Sequence, residues 1–130
     1  MTANADTKTP ATGRRVLVVE DEALIAMEVE EELERAGYSV VGPAPSAQKA
    51  LILVECESLD AAVLDYRLAE GTSREIATVL AERNIPFVFM TGHGVDDLPR
   101  ELRGWMCLAK PAGEGVLIAT LEAIFAAPAP

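Results

Sequence analysis

Polar side chains that could bind a metal ion follow several short apolar segments of this sequence. The acids Glu20, Asp21 and Glu22 come directly after the apolar residues 16–19. Three further polar side chains stand at the ends of later apolar segments: Asp65, Thr91 and Lys110. If these segments are neighbouring strands of a parallel sheet, then carboxylates, a hydroxyl and an ammonium group converge at one edge of that sheet.

Glu20, Asp21 and Asp65 predict a site for a divalent cation. Two carboxylates about 4 Å apart repel each other by roughly 4 kcal/mol at an effective dielectric constant near 20, so three of them at a partly dry edge need a compensating cation. A set of oxygen ligands without His or Cys favours Mg²⁺ over Zn²⁺. Glu22 is left out of the predicted site, because an acid at the start of a helix simply complements the helix dipole.

Each of these residues also has an ordinary structural explanation. An acid after a strand is often a helix cap, a threonine such as Thr91 is commonly a strand or cap residue, and Lys110 taken alone is a solvated lysine. His93 is the only histidine, and we predict a loop residue beside the site rather than a catalytic base. The joint occurrence of the polar residues at strand ends favours the functional interpretation over separate caps.

Composition and charge exclude several classes of function. The chain has 130 residues, of which 50% are hydrophobic and 25% charged, as in an ordinary single globular domain. The formal net charge of −10 would repel the phosphate backbone of a nucleic acid, so no nucleic-acid partner is expected. No apolar run approaches the roughly 18 residues that a membrane span requires, so no membrane partner is expected either.

The two ends of the chain and its cysteines set the predicted domain limits and location. Residues 1–13 are small and polar and predict a disordered arm, residues 14–126 form the predicted folded domain, and residues 127–130 form a frayed tail. No signal segment is recognised at the start, and Cys56 and Cys107 are predicted to be buried free thiols. Together these features predict a cytoplasmic protein.

Short apolar runs alternate with segments of helical periodicity, which predicts an α/β fold with a parallel sheet covered on both faces. The predicted strands are Arg15–Glu20, Ser39–Gly42, Ala61–Asp65, Phe87–Thr91 and Met106–Ala109. Five helices are predicted: Glu22–Ala36, a helix capped by Ser46, one after Thr72 or Ser73, a short fourth helix within 96–104, and one over Leu117–Phe125. The first of them is predicted to bury Ile25, Val29, Leu33 and Ala36. Functional groups of such a sheet gather beyond the carboxyl ends of its strands.

Four motifs, in this order and each at a strand end, resemble the phosphoacceptor site of response regulator receiver domains: VLVVEDE, VLDYRL, FMTGHG and LAKP. The resemblance covers residues 14–126. It implies the flavodoxin-like, doubly wound five-stranded sheet of order 2-1-3-4-5, with helices on both faces and a shortened fourth helix. The strand order is an implication of the resemblance and does not come from the periodicity.

The resemblance also implies a role for each candidate residue. Asp65 would accept a phosphoryl group from a sensor histidine kinase or a histidine phosphotransfer protein. Thr91 and Lys110 would contact the phosphoryl oxygens. The implied ligands of Mg²⁺ are Glu20, which acts through water, Asp21, Asp65 and the backbone carbonyl of Arg67.

A single-domain response regulator is the function that follows from this resemblance. Such a protein catalyses only its own phosphorylation and dephosphorylation, and it signals through a phosphorylation-dependent change of its protein-binding surface. A downstream protein target is therefore expected, although the sequence does not identify it. Relay, phosphate sink and switch remain open as roles, and so does a weak homodimer.

Two residues depart from the common pattern of the family. Glu20 stands where many relatives have Asp, and Cys107 stands where many receivers have an aromatic residue that rotates on activation. The FMTGHG run and VVGPAPS resemble a receiver subgroup that has a Phe-Ala-Thr-Gly motif and lacks that aromatic residue. In this subgroup the signal would pass through the segment from Thr91 to about Gly104.

Two other functions stay open as alternatives. The first is a degenerate receiver that binds a protein partner without being phosphorylated, and the departures at Glu20 and Cys107 keep it open. The second is a phosphatase with an aspartyl-phosphate intermediate. Such enzymes resembling haloacid dehalogenases place a second Asp two residues after the nucleophile, whereas this chain has Arg67 there.

Overall fold

The computed structural model describes residues 13–92, 98–100, 106–110, 112–113 and 115–126. The described strands are β1 (Arg15–Val19), β2 (Ser39–Ala44), β3 (Ala61–Asp65), β4 (Arg67–Leu68), β5 (Gly71–Thr72), β6 (Phe87–Thr91) and β7 (Cys107–Ala109). The described helices are α1 (Ala23–Arg35), α2 (Ala47–Cys56), α3 (Arg74–Glu82) and α4 (Val116–Ala126).

The main sheet has five parallel strands in the order β2-β1-β3-β6-β7. These are the five predicted strands, and their arrangement confirms the doubly wound order 2-1-3-4-5. β3 and β6 have the predicted bounds, β2 continues to Ala44, and β1 and β7 are each one residue shorter than predicted. β4 and β5 form a separate antiparallel pair that was not predicted from the sequence.

Two hydrophobic clusters cover the two faces of the sheet. Successive residues of a strand point to opposite faces, so Leu17 of β1 packs in the cluster with α2 and α3, whereas its neighbour Val18 packs in the cluster with α1 and α4. All residues of β3 and β6 are buried. This burial on both faces explains why these strands are continuous apolar runs rather than alternating ones.

Two helix ends follow local signals in the sequence. The hydroxyl of Ser46 accepts a hydrogen bond of 3.2 Å from the backbone N–H of Lys49, which confirms the predicted N-cap of α2. Gly37 follows α1 with a φ of 98°, a left-handed conformation that suits glycine and ends the helix. Of the residues predicted to face the core from α1, Ile25 is half-buried and Ala36, which lies just beyond the last turn, is exposed.

Cys56 is the clearest error of the burial predictions. It is the last residue of α2 and is exposed, because it lies one turn after the exposed Ile52, on the side of the helix opposite the buried Val54. Cys107 is half-buried. Both are free thiols. None of the four described helices has the length and apolarity that a bilayer crossing requires. The predicted short fourth helix and the predicted terminal segments lie almost entirely outside the described residues.

Candidate active site at the carboxyl edge of the sheet

The parallel sheet brings the candidate residues to one edge. Glu20 and Asp21 follow β1, Asp65 ends β3, Thr91 ends β6 and Lys110 follows β7. Because β1 and β6 both pair with β3, the ends of these strands are direct neighbours. The backbone N–H of Lys110 donates a hydrogen bond of 2.6 Å to the carbonyl of Thr91, which ties the end of β7 to the end of β6.

Three carboxylates form a compact group at this edge. Glu20, Asp21 and Asp65 each offer an oxygen, and these oxygens lie within 4.8 Å of one another. Glu20 and Asp65 are buried, each with 6% of its surface exposed, and Asp21 is half-buried. This set of hard oxygen donors fits Mg²⁺. The structure thus brings together the three predicted carboxylate ligands, and Arg67, the fourth predicted ligand, lines the adjoining cavity.

Lys110 pairs with this acidic group. Its ammonium nitrogen lies 3.1 Å from Oε1 of Glu20 and 3.2 Å from Oδ2 of Asp65, and the lysine side chain is only 13% exposed. A third carboxylate oxygen, Oε1 of Glu22, lies 3.8 Å from the same nitrogen. One ammonium group therefore offsets part of the repulsion among the acids.

Glu22 belongs to the surroundings of the site, although it was not among the predicted site residues. Besides its contact with Lys110, its backbone N–H donates a hydrogen bond of 3.1 Å to Oε2 of Glu20. The side chain of Glu22 is 65% exposed, so its charge is well screened, whereas its backbone helps to orient the buried Glu20. Its position directly after Asp21 was the sequence signal that could have included it.

The environment raises the pKa of both Asp65 and Lys110. Burial raises the pKa of Asp65 to about 7, and the hydrogen bond and negative charge of Glu20 add to that rise, whereas Lys110 opposes it. Burial alone would lower the pKa of Lys110, but its contacts with Glu20 and Asp65 outweigh this effect and raise the pKa. A carboxylate close to half-ionised near neutral pH beside a firmly protonated lysine is typical of reactive sites.

An open cavity of ≈ 410 Å³ gives access to Asp65. One wall is formed by Arg67, Leu68 and Ala69 of the unpredicted β4–β5 hairpin, and Gly92 and Lys110 lie on other sides. A second cavity of ≈ 450 Å³ between α1 and α4 shares Glu22 and Lys110 with the first. Asp65 is therefore buried in the protein yet faces a space that a phosphorylated group could enter.

Thr91 lies near the site, but its hydroxyl has a different neighbour. The residue is 2% exposed, and its Oγ1 lies 3.8 Å from Sγ of Cys107. Among the described residues, Gly92 lines the cavity and Thr91 does not. His93, which was predicted to lie beside the site, is outside the described residues, and so is Pro111, the last residue of the LAKP motif.

Known proteins are similar to this chain in sequence and in fold. The family model described as the response regulator receiver domain matches residues 16–122. The transcriptional regulatory protein PdtaR of Mycobacterium tuberculosis is 36% identical over 125 residues, which cover 93% of this chain. The chain spans about 60% of the length of PdtaR.

Two solved structures resemble the fold over nearly their full length. The solution structure of SdrG from Sphingomonas melonis Fr1 has a TM-score of 0.77 and 38% sequence identity, and the match covers 87% of this chain and 97% of SdrG. The receiver domain of PhyR from Erythrobacter litoralis has a TM-score of 0.80 and 25% identity, with 92% of this chain and 95% of that domain covered.

Proposed function

The chain belongs to the response regulator receiver domain family, and from this premise we propose that Asp65 accepts a phosphoryl group from a sensor histidine kinase or a histidine phosphotransfer protein. Receiver domains interact with such partners and bind Mg²⁺ at an acidic pocket. The observation that carries the proposal is the position of the Asp65 carboxylate, which faces an open cavity with the Lys110 ammonium group 3.2 Å away.

In the proposed reaction an ionised oxygen of Asp65 attacks phosphorus. The bond between phosphorus and the histidine nitrogen of the partner breaks, and the electron pair stays with the imidazole. Lys110 is held at Asp65 before the reaction, so it can contact an incoming phosphoryl oxygen with little reorganisation. Thr91 is the proposed contact for another phosphoryl oxygen.

Glu20, Asp21, Asp65 and the backbone carbonyl of Arg67 are the proposed Mg²⁺ ligands, with Glu20 acting through water. When bound, Mg²⁺ would neutralise charge on the phosphoryl oxygens. The carboxylates of this chain supply the negative charge that holds the ion, and burial of Glu20 and Asp65 strengthens that interaction relative to one in water. The donor set of the described residues supports this assignment.

The proposed output is a change of protein-binding surface. PdtaR is named a transcriptional regulatory protein and PhyR of Bartonella quintana an anti-anti-sigma factor, so the relatives act in gene regulation. The net charge of −10 supports a protein target rather than direct contact with a nucleic acid. We place the receiver at residues 14–126, between an N-terminal arm and a short tail, in a protein of the cytoplasm.

The motif FMTGHG and the thiol at position 107 support membership of the subgroup with a Phe-Ala-Thr-Gly motif and without the aromatic switch residue. In such a receiver the segment from Thr91 to about Gly104 would carry the signal.

The proposal is tested by the intact mass of the protein after incubation with acetyl phosphate, with and without Mg²⁺. We expect one phosphoryl adduct that requires Mg²⁺ and is absent from Asp65→Asn. Asp60→Asn is the matched control, because Asp60 precedes the same strand at its opposite end and the amide can still accept the hydrogen bond that Arg15 donates. No adduct on the folded wild-type protein, even after rapid cold quenching, would favour the degenerate receiver.

A further inference from the structure

The contact between Thr91 and Cys107 joins the ends of two neighbouring strands. Their Oγ1 and Sγ atoms are 3.8 Å apart, in a geometry that lets either group donate a hydrogen bond. The register of the sheet creates this contact, because Cys107 pairs with Phe89 and Thr91 lies two residues further along the same strand. Residues two apart on a strand share a face, so both side chains lie on the face covered by α2 and α3.

Asp65 has the opposite orientation in its own strand. It lies two residues after Val63, whose side chain packs in the cluster on the α1 and α4 face. The alternation therefore directs Asp65 and Thr91 to different faces at the edge of the sheet. This agrees with the cavity, which Asp65 lines and Thr91 does not.

We propose that Cys107 is a positioning residue that holds the Thr91 hydroxyl on the far face of the sheet in the resting protein. This inference rests on the proposed function, since it concerns the same phosphoryl group on Asp65. For Thr91 to contact that group, its hydroxyl must leave the sulfur of Cys107. The thiol thus stabilises the resting conformation and opposes the phosphorylated one.

The proposal predicts the direction in which a substitution of Cys107 shifts the equilibrium between the resting and the phosphorylated conformation. Cys107→Ala removes the contact, so the resting conformation is less favoured and the phosphorylated conformation is more populated. A weak hydrogen bond of this kind corresponds to a change of about two- to threefold in an equilibrium constant. Loss of packing by itself would instead leave the affinity for a phosphoryl mimic unchanged or reduced.

A double-mutant cycle tests the proposal, with the affinity for beryllofluoride in the presence of Mg²⁺ as the readout. The four proteins are wild type, Cys107→Ala, Thr91→Val and the double variant. We expect Cys107→Ala to raise the affinity about two- to threefold in the Thr91 background and to have no effect in the Val background. Cys56→Ala, which removes the other sulfur from an exposed position, should leave the affinity unchanged.

The outcomes separate this inference from the proposed function. If wild type binds beryllofluoride but Cys107→Ala has no effect, or has the same effect in both backgrounds, Cys107 does not position Thr91 and only the inference is wrong. If folded wild type binds no beryllofluoride and takes no phosphoryl group, the proposed function is wrong and the inference with it.

A second measurement needs no variant and so does not depend on the folding of Cys107→Ala. The alkylation rate of each cysteine of the wild-type chain by iodoacetamide is measured by peptide mass, with and without Mg²⁺ and beryllofluoride. Departure of the Thr91 hydroxyl changes both the hydrogen bonding and the access of the Cys107 sulfur, so the rate at Cys107 should change by about twofold or more while the rate at Cys56 stays constant. An unchanged rate at Cys107 in the saturated protein would overturn the inference.

Discussion

The ammonium nitrogen of Lys110 lies almost equally far from Oε1 of Glu20 and Oδ2 of Asp65, at 3.1 Å and 3.2 Å. A single ammonium group thus pairs with two buried acids, one that follows β1 and one that ends β3. With the half-buried Asp21 beside them, three carboxylates face one ammonium group, and the remaining negative charge matches a divalent cation.

Removal of Lys110 should destabilise the metal-free protein. Lys110→Met leaves the buried acids without their cation, and we expect a loss of about 1–3 kcal/mol of unfolding free energy at pH 8, less than for a fully buried pair. Urea denaturation measures this change. Glu55→Gln is the control, because it breaks the exposed ion pair with Arg83, where we expect less than about 1 kcal/mol. Equal losses for both variants would contradict the assigned burial of the site.

The affinity for Mg²⁺ should increase as the pH rises through about 7. Burial first, and then Glu20, raise the pKa of Asp65 to about 7, so below that pH a bound metal must displace a proton. Calorimetric titrations at pH 6 and pH 8 should show weaker binding at pH 6. In Asp65→Asn the binding should be weak, and its dependence on pH should be much reduced. An unchanged affinity of wild type over this range would argue against the raised pKa.

The raised pKa of Asp65 also predicts how the stability of the metal-free protein changes with pH. Between the ordinary pKa of an aspartate, about 4, and the folded value of about 7, the folded protein holds a proton that the unfolded chain has lost. The contribution of Asp65 to the free energy of unfolding should therefore fall as the pH rises from about 4 to about 7 and stay level above. Asp65→Asn should remove this slope, as measured by urea denaturation at several pH values.

Loss of the Asp21 carboxylate should weaken metal binding without unfolding the protein. In Asp21→Asn one of three clustered charges is removed, and we expect the Mg²⁺ affinity at pH 8 to fall by about tenfold or more. The metal-free stability should be equal or slightly higher, because repulsion among the carboxylates is relieved. Glu28→Gln, an exposed acid of α1 outside the cluster, is the charge-matched control for the titration. Similar losses in both variants would indicate only a general effect of net charge.

Two leucines of α1 should differ sharply in their contribution to stability. Leu33 is fully buried, whereas Leu24 is 76% exposed. Leu33→Ala should cost about 2–5 kcal/mol because it leaves a cavity in the cluster beneath α1. Leu24→Ala should change the unfolding free energy by less than about 0.5 kcal/mol. Both substitutions replace Leu by Ala in the same helix, so they change the helix propensity alike. The difference between their unfolding free energies therefore reports the effect of burial.

Much of the fold could be predicted because its signals are local. β3 and β6 are continuous apolar runs, and Ser46 begins its helix with a side chain that caps it. The strand order came from the motif resemblance, since periodicity does not say which strands are neighbours. The β4–β5 hairpin was missed because each of its strands has two residues, too short for a periodic pattern.

Burial near the ends of helices was less predictable. Cys56 and Ala36 were both expected to face the core, and both are exposed. Ala36 lies just beyond the last turn of α1, where the apolar period still holds but the residue is exposed. Cys56 lies two residues after the buried Val54 and four after the exposed Ile52, so it belongs to the exposed side of α2. The sequence pattern shows which residues of a helix share a face, but it does not show where the surface packed against that face ends.

The sequence by itself determined which residues stand at the carboxyl ends of the strands, because the apolar runs and the polar residues that end them are local features. Only the tertiary structure decided which of these side chains meet. Lys110 reaches Glu20 across 90 residues of sequence, and Thr91 contacts Cys107 rather than lining the cavity beside Asp65. These pairings depend on strand register and on the alternating faces of the sheet, which arise when the strands pack together.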